Sequence, residues 1–463
     1  MGGRVSNSNQ LSLDVETYPT KELFITMLTR DVGLIPAIID LADNCTDGAR
    51  RVKPSGKWNG FWISIETKNG SFKIEDNCGG IEVDAARDYA FKFGRPPGVA
   101  PVKGAVGRFG VGMKRGLFKL GGSFSVTSTT AESQFKVTVD VEEWAAKKDE
   151  WPFQFDKQPL TGQNFPESKR GTVIEVTRLH ESVAEQFRLE SFEQQLCHEL
   201  TAKLETSITM GMAIEVNGVA LKAHVRQLIS HRQLKPAYKH WQRRNPGGGT
   251  VTAEIYCGIG RTKSPSEARS EAGWYVFCNG RMLLEADKSS ATGWDLSDEV
   301  KFPAFHGQYN GFRGYAYLVA NDAGDLPWNT TKTALDADHP IYRAVRQEMI
   351  LLARPVITFF NKMKKEQDDL RAVGNDGKGP IETLLDAAKA TLPVGKGGTR
   401  SAFLIPQLPA KKLRAGGPGM QSIAFKRPTD KALEVRRTIG ANSWPETGEL
   451  LFDYYFANEC DGE

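Results

Sequence analysis

Two polar side chains on one predicted helix are spaced to hold a water molecule and a metal ion. From residue 34 to about residue 51, apolar residues recur at helical spacing on one face: Ile38, Leu41, Ala42, Cys45 and Ala49. Polar residues recur on another face, at spacings of three, four and seven: Asp40, Asp43, Asn44 and Asp47. Asp40 and Asn44 lie one turn apart, so their carboxylate and amide could hold water and a metal ion beside a phosphate.

A second group of residues is suited to a purine base. The segment "KIEDNCGGI" reads as a strand that ends at Asp76 and runs into two glycines. A carboxylate there could accept a hydrogen bond from an adenine amino group, while Gly79 and Gly80 let the backbone come close. In "RGTVIEV", Thr172 begins another predicted strand, where its hydroxyl could support Asp76.

The stretch "VGRFGVGMKRGLFKLGG", residues 106–122, holds six glycines and four cations and continues into a predicted helix. Glycine at a helix start with nearby cations suggests phosphate binding. A P-loop is excluded, because Lys114 follows Met113 and precedes Arg115 instead of Ser or Thr. A Rossmann fingerprint is excluded too, because neither the glycine spacing nor the Gly/Pro-rich residues 94–106 before it fit.

These residues need a sheet and flanking helices to bring them together. Five segments read as strands: "FWISIET", "SFKIED", "SFSVTST", "FKVTVDV" and "TVIEVT". A second region begins at a helical segment near 190–206 and includes strands with turns at Asn217-Gly218 and Asn279-Gly280. Residues 340–366 read as a long helix. The predicted domains are an arm (1–20), a first domain (21–185), a second domain (186–370), and a linker with a C-terminal module (371–463).

Composition is that of an ordinary globular chain: 463 residues, 40% hydrophobic and 25% charged, with a net charge of +4. That charge is too small to indicate nucleic-acid binding by the chain as a whole. The six cysteines form no CxxC pair, and there is no apolar run of membrane-spanning length. We therefore expect reduced thiols, a cytoplasmic location and no membrane partner.

The four segments together resemble the GHKL ATPases, which share the Bergerat ATP-binding fold: gyrase B, the ninety-kilodalton heat-shock chaperones, MutL and sensor histidine kinases. The glycine-rich stretch is particularly similar to MORC-type members. The resemblance implies an α+β fold, a two-layer α/β sandwich followed by an α/β transducer domain and a small C-terminal module. It also implies ATP and Mg²⁺ as cofactors. By the same resemblance, Asn44 is the metal ligand, Asp76 recognises adenine and Asp40 is the catalytic base. The implied nucleotide-binding residues are Asn44, Asp47, Asp76, Gly80, Gly107, Arg108, Phe109, Gly110, Val111, Gly112, Met113, Lys114 and Thr172.

Later segments extend the resemblance. "VFCNGRMLL" is similar to the transducer domain of gyrase B and MutL, and "LPWNTTKTALD" to its loop that carries a lysine to the γ-phosphate. Lys332 is therefore the second predicted catalytic residue, stabilising charge during phosphoryl transfer. In relatives with this domain pair, lids and N-terminal arms drive ATP-dependent dimerisation, so the resemblance implies a homodimeric clamp.

Two departures leave alternatives open. The family base is usually Glu, and Asp40 is one methylene shorter, so we expect slow hydrolysis; a nucleotide-sensing scaffold without useful turnover is an alternative. The adenine motif is usually D-x-G-x-G, and Cys78 replaces its first glycine. The second alternative is a histidine kinase, because "QLCHELTAKLETSI" resembles the acceptor helix with His198 as acceptor, although that helix precedes the ATP domain in that family.

These motifs do not identify the molecule on which such an ATPase would act. Cations interleaved with Tyr238 and Trp241 in residues 231–249 make DNA a candidate partner. The C-terminal module is a candidate attachment site for a partner protein or a nuclease, since the chain itself shows no nuclease metal cluster.

Overall fold

In the computed structural model, the described part of the chain begins at residue 19 and ends at residue 460. The residues outside it are 1–18, 69, 95, 97–101, 108–109, 148–149, 246–247, 262–263, 297–301, 330–331, 333, 373–378, 389–390, 394–400, 405–425 and 461–463. The predicted arm, residues 1–20, therefore lies almost entirely outside the described residues. The chain divides into two compact units, Met1–Pro406 and Gln407–Glu463.

The first sheet has eight strands in the order β5-β4-β3-β6-β2-β1-β7-β8. Their bounds are β1 Trp62–Lys68, β2 Ser71–Asp76, β3 Gly121–Thr129, β4 Ser133–Asp140, β5 Leu160–Thr161, β6 Gly171–Leu179, β7 Ala213–Val216 and β8 Val219–Ala220. All pairs are antiparallel except β1 with β7. All five strands predicted for the first domain are present. The hairpin around Asn217-Gly218, which the sequence pattern assigned to the second region, extends this first sheet.

Eight helices belong to the same part of the chain: α1 Leu28–Arg30, α2 Leu34–Val52, α3 Val83–Ala85, α4 Gly112–Leu120, α5 Val141–Ala146, α6 Glu181–Phe187, α7 Glu190–Lys203 and α8 Glu205–Thr209. Helices α2, α4 and α7 share one hydrophobic core with the sheet. Strand β2 alternates buried and half-buried residues, as a strand covered on one face does. This is the two-layer arrangement that the resemblance implies.

Helix α2 confirms the helix predicted from the apolar spacing. Its apolar face is buried in the core of the first sheet, with Ile38, Leu41 and Ala42 fully enclosed. The opposite polar face is not solvated throughout, because Asp40 and Asp43 are also buried. Burial of two carboxylates on one helix requires cationic partners, which other elements supply.

The second sheet has five strands in the order β10-β11-β14-β12-β13. Their bounds are β10 Ala237–Arg244, β11 Thr250–Ile259, β12 Gly273–Cys278, β13 Arg281–Asp287 and β14 Phe312–Ala320. The predicted turn at Asn279-Gly280 joins β12 to β13, with both residues at positive φ, as a type I′ turn requires. The long predicted helix is α10 (Pro340–Ala372), which contains Pro355 and contacts β10, β11 and β14.

The remaining elements are short. They are α9 Pro265–Glu271, α11 Pro380–Ala387 and a two-stranded pairing of β9 Gln227–Ile229 with β15 Thr391–Pro393. Single turns of 3₁₀ or π helix lie at Leu23–Met27, Ala86–Ala90, Glu167–Lys169, Ser290–Thr292, Gly307–Tyr309, Ala323–Asp325 and Phe456–Cys460. The unit Gln407–Glu463 contains α12 Thr429–Thr438 and α13 Trp444–Tyr455.

The fold is therefore mixed α and β, with a two-layer sandwich followed by a further sheet and helix, as expected from the sequence. Among the described helices, none is both long enough and apolar enough to cross a lipid bilayer.

Candidate functional site

A cavity of about 310 Å³ lies over the polar face of α2, a volume typical of small-molecule sites. Its lining includes every predicted site residue that falls in the described part of the chain: Asp40, Asn44, Asp47, Asp76, Gly80, Gly107, Gly110, Val111, Gly112, Met113, Lys114, Thr172 and Lys332. Arg108 and Phe109 lie outside the described residues. Residues separated by almost 300 positions in the chain thus surround one space.

Asp40 lies on the wall of this cavity and is 3% exposed. The Arg115 guanidinium donates a hydrogen bond to its Oδ2 at 2.6 Å, and the Lys332 ammonium lies 3.6 Å from its Oδ1. Among the described residues, Oδ1 accepts no hydrogen bond. The candidate base is therefore flanked by two cations, one bound tightly and one loosely.

Asp43, one turn of α2 further on, is 1% exposed and forms an ion pair with Arg281 at the start of β13. Its Oδ2 also lies 3.6 Å from the Lys332 ammonium. Sequence reasoning gave no role to Asp43, Arg115 or Arg281. Only Arg281 carried a local signal, a charge immediately before the apolar Met282 and Leu283.

Asp47 fixes the beginning of the glycine-rich stretch. Its two carboxylate oxygens accept hydrogen bonds from the backbone N–H groups of Val106 (2.8 Å) and Gly107 (2.7 Å). Arg50, at 3.3 Å, neutralises it. Burial raises the pKa of Asp47, and the ion pair and the two N–H groups oppose that increase.

The end of β2 forms the opposite wall. The Asp76 carboxylate accepts a hydrogen bond from the Cys78 N–H at 2.7 Å, and burial raises its pKa to about 6. Gly80, at φ +71°, lies so close to Thr129 that a Cβ there would be 2.3 Å from the Thr129 carbonyl oxygen. A side chain at position 80 would therefore clash with Thr129, a constraint separate from the predicted approach of the base to the backbone.

The prediction for Thr172 needs correction in its detail. Thr172 lies opposite Asp76, with which it pairs across β6 and β2. The Thr172 hydroxyl instead lies 3.2 Å from the hydroxyl of Ser128. Pairing places the two residues side by side, but the sequence does not reveal which neighbouring side chain the hydroxyl contacts.

The glycine-rich stretch turns into α4 beside Asp40. Gly110 has φ +66°, and a Cβ on Gly112 would lie 3.4 Å from Asp40 Oδ2. Lys114, which the resemblance places among the nucleotide-binding residues, lines the cavity, but its ammonium is buried and donates to the carbonyls of Ala90 and Gly110. Burial lowers the pKa of Lys114 to about 7.

The turn between β12 and β13 holds both α2 and the segment 102–107. The Asn279 amide donates to the Ala105 carbonyl at 2.9 Å and its Oδ1 accepts from the Ala320 N–H at 3.0 Å. The Asn279 carbonyl accepts a hydrogen bond from Arg50 at 3.2 Å. The second sheet thus contacts the cavity wall through one buried asparagine.

The donor set fits Mg²⁺ that takes most of its ligands from phosphates and water. Asn44 is exposed at the cavity, so its amide oxygen is free to serve as a protein ligand. No group of three or more His, Cys, Asp or Glu side chains positioned to hold a metal occurs in the described part of the chain. A metal held chiefly by protein side chains therefore has no site among these residues.

Comparison with known families agrees with this geometry. Residues 33–172 match the family described as "Histidine kinase-, DNA gyrase B-, and HSP90-like ATPase". This segment, less than half of the chain, is therefore similar to the GHKL ATPase domain. The match ends at β6, so the similarity of later residues to a transducer domain, and to MORC or MutL in particular, stays a prediction. No curated protein matches the chain.

Proposed function

We propose that the chain binds Mg-ATP in this cavity and hydrolyses it slowly, using the nucleotide to close residues 94–112 and to promote dimerisation. The convergence of all the described predicted residues on one cavity carries the proposal. The family match to residues 33–172 supports nucleotide binding in that segment. Dimerisation through residues 1–20 rests on the resemblance alone.

Each end of the cavity has a separate task in binding. Asp76 accepts a hydrogen bond from the adenine amino group, and Gly80 lets the base approach the backbone. At the phosphate end, Asp47 holds Val106 and Gly107 in place, so that the glycine-rich backbone is ordered before the ligand arrives. Asn44 is the protein ligand of Mg²⁺, which when bound neutralises phosphate charge.

Hydrolysis requires a water molecule aligned with the γ-phosphorus. Asp40 Oδ1 has no hydrogen-bond partner among the described residues and is the atom suited to accept a hydrogen bond from that water. Lys332 stabilises the negative charge that develops on the phosphoryl group. Arg115 holds the other carboxylate oxygen of Asp40 in an ion pair, so Oδ1 alone is left to contact that water.

A nucleotide-sensing scaffold is the second candidate. Two observations favour it: the short Asp40 side chain and its engagement by Arg115. In that case binding and conformational change occur without useful turnover. The histidine-kinase alternative requires His198, which is exposed on α7 and does not line the cavity.

DNA is a candidate partner that the geometry of the cavity does not itself imply. Strand β10 carries the exposed side chains of His240, Arg243 and Arg244 at the edge of the second sheet. Binding of a DNA duplex that weakens as the salt concentration rises would support this partner. A lack of binding even at low salt would exclude it.

The decisive experiment measures ATP affinity and steady-state phosphate release on the same samples. Asp40→Asn is expected to retain affinity and lose turnover, whereas Asn44→Ala is expected to lose Mg²⁺-dependent affinity. His198→Gln serves as the control and should change neither. If the wild-type chain releases phosphate no faster than Asp40→Asn while it still binds ATP, the scaffold replaces the ATPase. If it does not bind ATP, both proposals fail.

A further inference from the structure

Five charged side chains form one buried row that begins at the cavity and extends beyond it. In spatial order they are Arg115, Asp40, Lys332, Asp43 and Arg281, none more than 9% exposed. They come from α4, α2, the loop after β14, and β13. The row therefore joins the glycine-rich stretch to the second sheet through α2.

The contacts within this row are unequal. Each arginine forms a hydrogen-bonded ion pair with its own aspartate, Arg115 with Asp40 and Arg281 with Asp43. Lys332 instead lies between the two carboxylates, 3.6 Å from an oxygen of each, which is beyond hydrogen-bonding distance. The lysine is thus the most weakly held member.

We propose that Arg115 and Arg281 are positioning residues that allow Lys332 to move from the carboxylates to the γ-phosphate. The proposal rests on the function proposed above. A buried carboxylate that loses its only cation is strongly destabilised. Because each aspartate keeps an arginine, Lys332 can leave without creating an unpaired buried charge.

Arg281 has the more informative position, because it belongs to the second sheet and does not line the cavity. Without Arg281, Asp43 would have Lys332 as its nearest cation, and the lysine would be retained there. Arg281→Gln is therefore expected to weaken recognition of the γ-phosphate while leaving contacts with base and α- and β-phosphates in place. Arg281 then controls the lysine without touching the nucleotide.

The test compares the affinities for ADP and for a non-hydrolysable ATP analogue, both with Mg²⁺. Wild type is expected to prefer the analogue, and Lys332→Ala should lose that preference by roughly tenfold, the size of one charge-assisted hydrogen bond. Arg281→Gln should lose a similar factor. The double variant Asp43→Asn, Arg281→Gln removes the carboxylate that would retain Lys332, and should recover most of the preference.

Arg313→Gln is the matched control, because Arg313 is an equally buried arginine of the second sheet that pairs with Glu271. It should leave the preference unchanged. If Arg281→Gln keeps the wild-type preference, the proposal is wrong. If this variant does not fold, the double variant decides: a preference near wild type supports the proposal, and a preference as low as that of Lys332→Ala overturns it.

The proposed function and this inference fail in different ways. If wild type binds neither nucleotide, the function itself is wrong and the inference falls with it. If wild type binds both, with a preference that depends on Lys332 and not on Arg281, the function stands and only the role of Arg281 is rejected.

Discussion

Arg115 and Asp40 form an ion pair of 2.6 Å in which the two side chains are 8% and 3% exposed. Arg178 of β6 and Asp140 of β4 form a pair of 2.5 Å, but their side chains are 50% and 30% exposed. The same chemistry thus occurs in two environments, and solvent screening distinguishes their contributions to stability.

Arg115→Met is expected to lower the free energy of unfolding by about 3 kcal/mol, because it leaves the Asp40 carboxylate buried with a loosely held lysine. Arg178→Met should cost less than about 1 kcal/mol. Urea unfolding of both variants measures the difference. The combination Asp40→Asn, Arg115→Met should recover part of the loss; equal losses for the buried and exposed arginines would contradict this prediction.

The raised pKa of Asp76 predicts a pH dependence of stability. Because burial moves this pKa from 3.8 to about 6, the folded chain binds the proton more tightly than the unfolded chain. Stability is expected to fall by about 3 kcal/mol as the pH rises from about 4 to about 6, and to stay at the lower value above that. Asp76→Asn cannot ionise and should remove this slope from urea unfolding curves.

Nucleotide affinity should change in the opposite direction. The ionised Asp76 is the better acceptor for an amino group, so ATP binding is expected to strengthen as the pH rises through about 6. Calorimetric titration of ATP between about pH 5 and pH 7.5 measures this. The same trend in Asp76→Asn would show that another group is responsible.

Gly80→Ala and Gly60→Ala test the close approach at the cavity. Both glycines have positive φ, but a Cβ at Gly60 meets nothing within 4 Å, whereas one at Gly80 overlaps the Thr129 carbonyl. Gly60→Ala should cost about 1 kcal/mol of stability, and Gly80→Ala about 3 kcal/mol with loss of ATP affinity. Thermal unfolding with and without ATP measures both effects. Equal losses of stability in the two variants would show that the Thr129 backbone shifts easily to accommodate a Cβ at position 80.

Asp47→Asn tests the hold on the glycine-rich stretch. An amide oxygen can replace only one of the two carboxylate acceptors, so one N–H at Val106 or Gly107 loses its partner. We expect roughly tenfold weaker ATP binding and faster amide hydrogen exchange at both residues. Asp84→Asn, at an exposed carboxylate outside the cavity, is the control. Unchanged exchange at Val106 and Gly107 would contradict the anchoring role.

Local sequence patterns were sufficient to predict the helix and strands that carry the site residues. The apolar spacing of α2 and the alternation in β2 and β6 are properties of short segments, and the structure contains them at nearly the predicted bounds. The turn at Asn279-Gly280 was equally predictable, because two consecutive residues at positive φ favour this dipeptide.

Long-range pairing was not predictable in the same way. Arg281 meets Asp43 across 238 positions of sequence, and no local pattern records such a contact. Strand β10 was read only as a run of cations, since its basic side chains hide the alternation typical of strands. Strand β7 joins the first sheet by parallel pairing with β1, which depends on the path of α7 and α8 rather than on the strand's own residues.

The Asn279 side chain links the loop at Ala105 to the end of β14 at Ala320 with one amide. A shift of the loop breaks a bond to the second sheet, and a shift of the sheet breaks a bond to the loop. Thermodynamic linkage makes such an effect reciprocal. If nucleotide binding shifts the loop at Ala105, as the proposed function implies, a macromolecule that moves this asparagine changes nucleotide affinity by the same factor by which nucleotide changes the binding of that macromolecule.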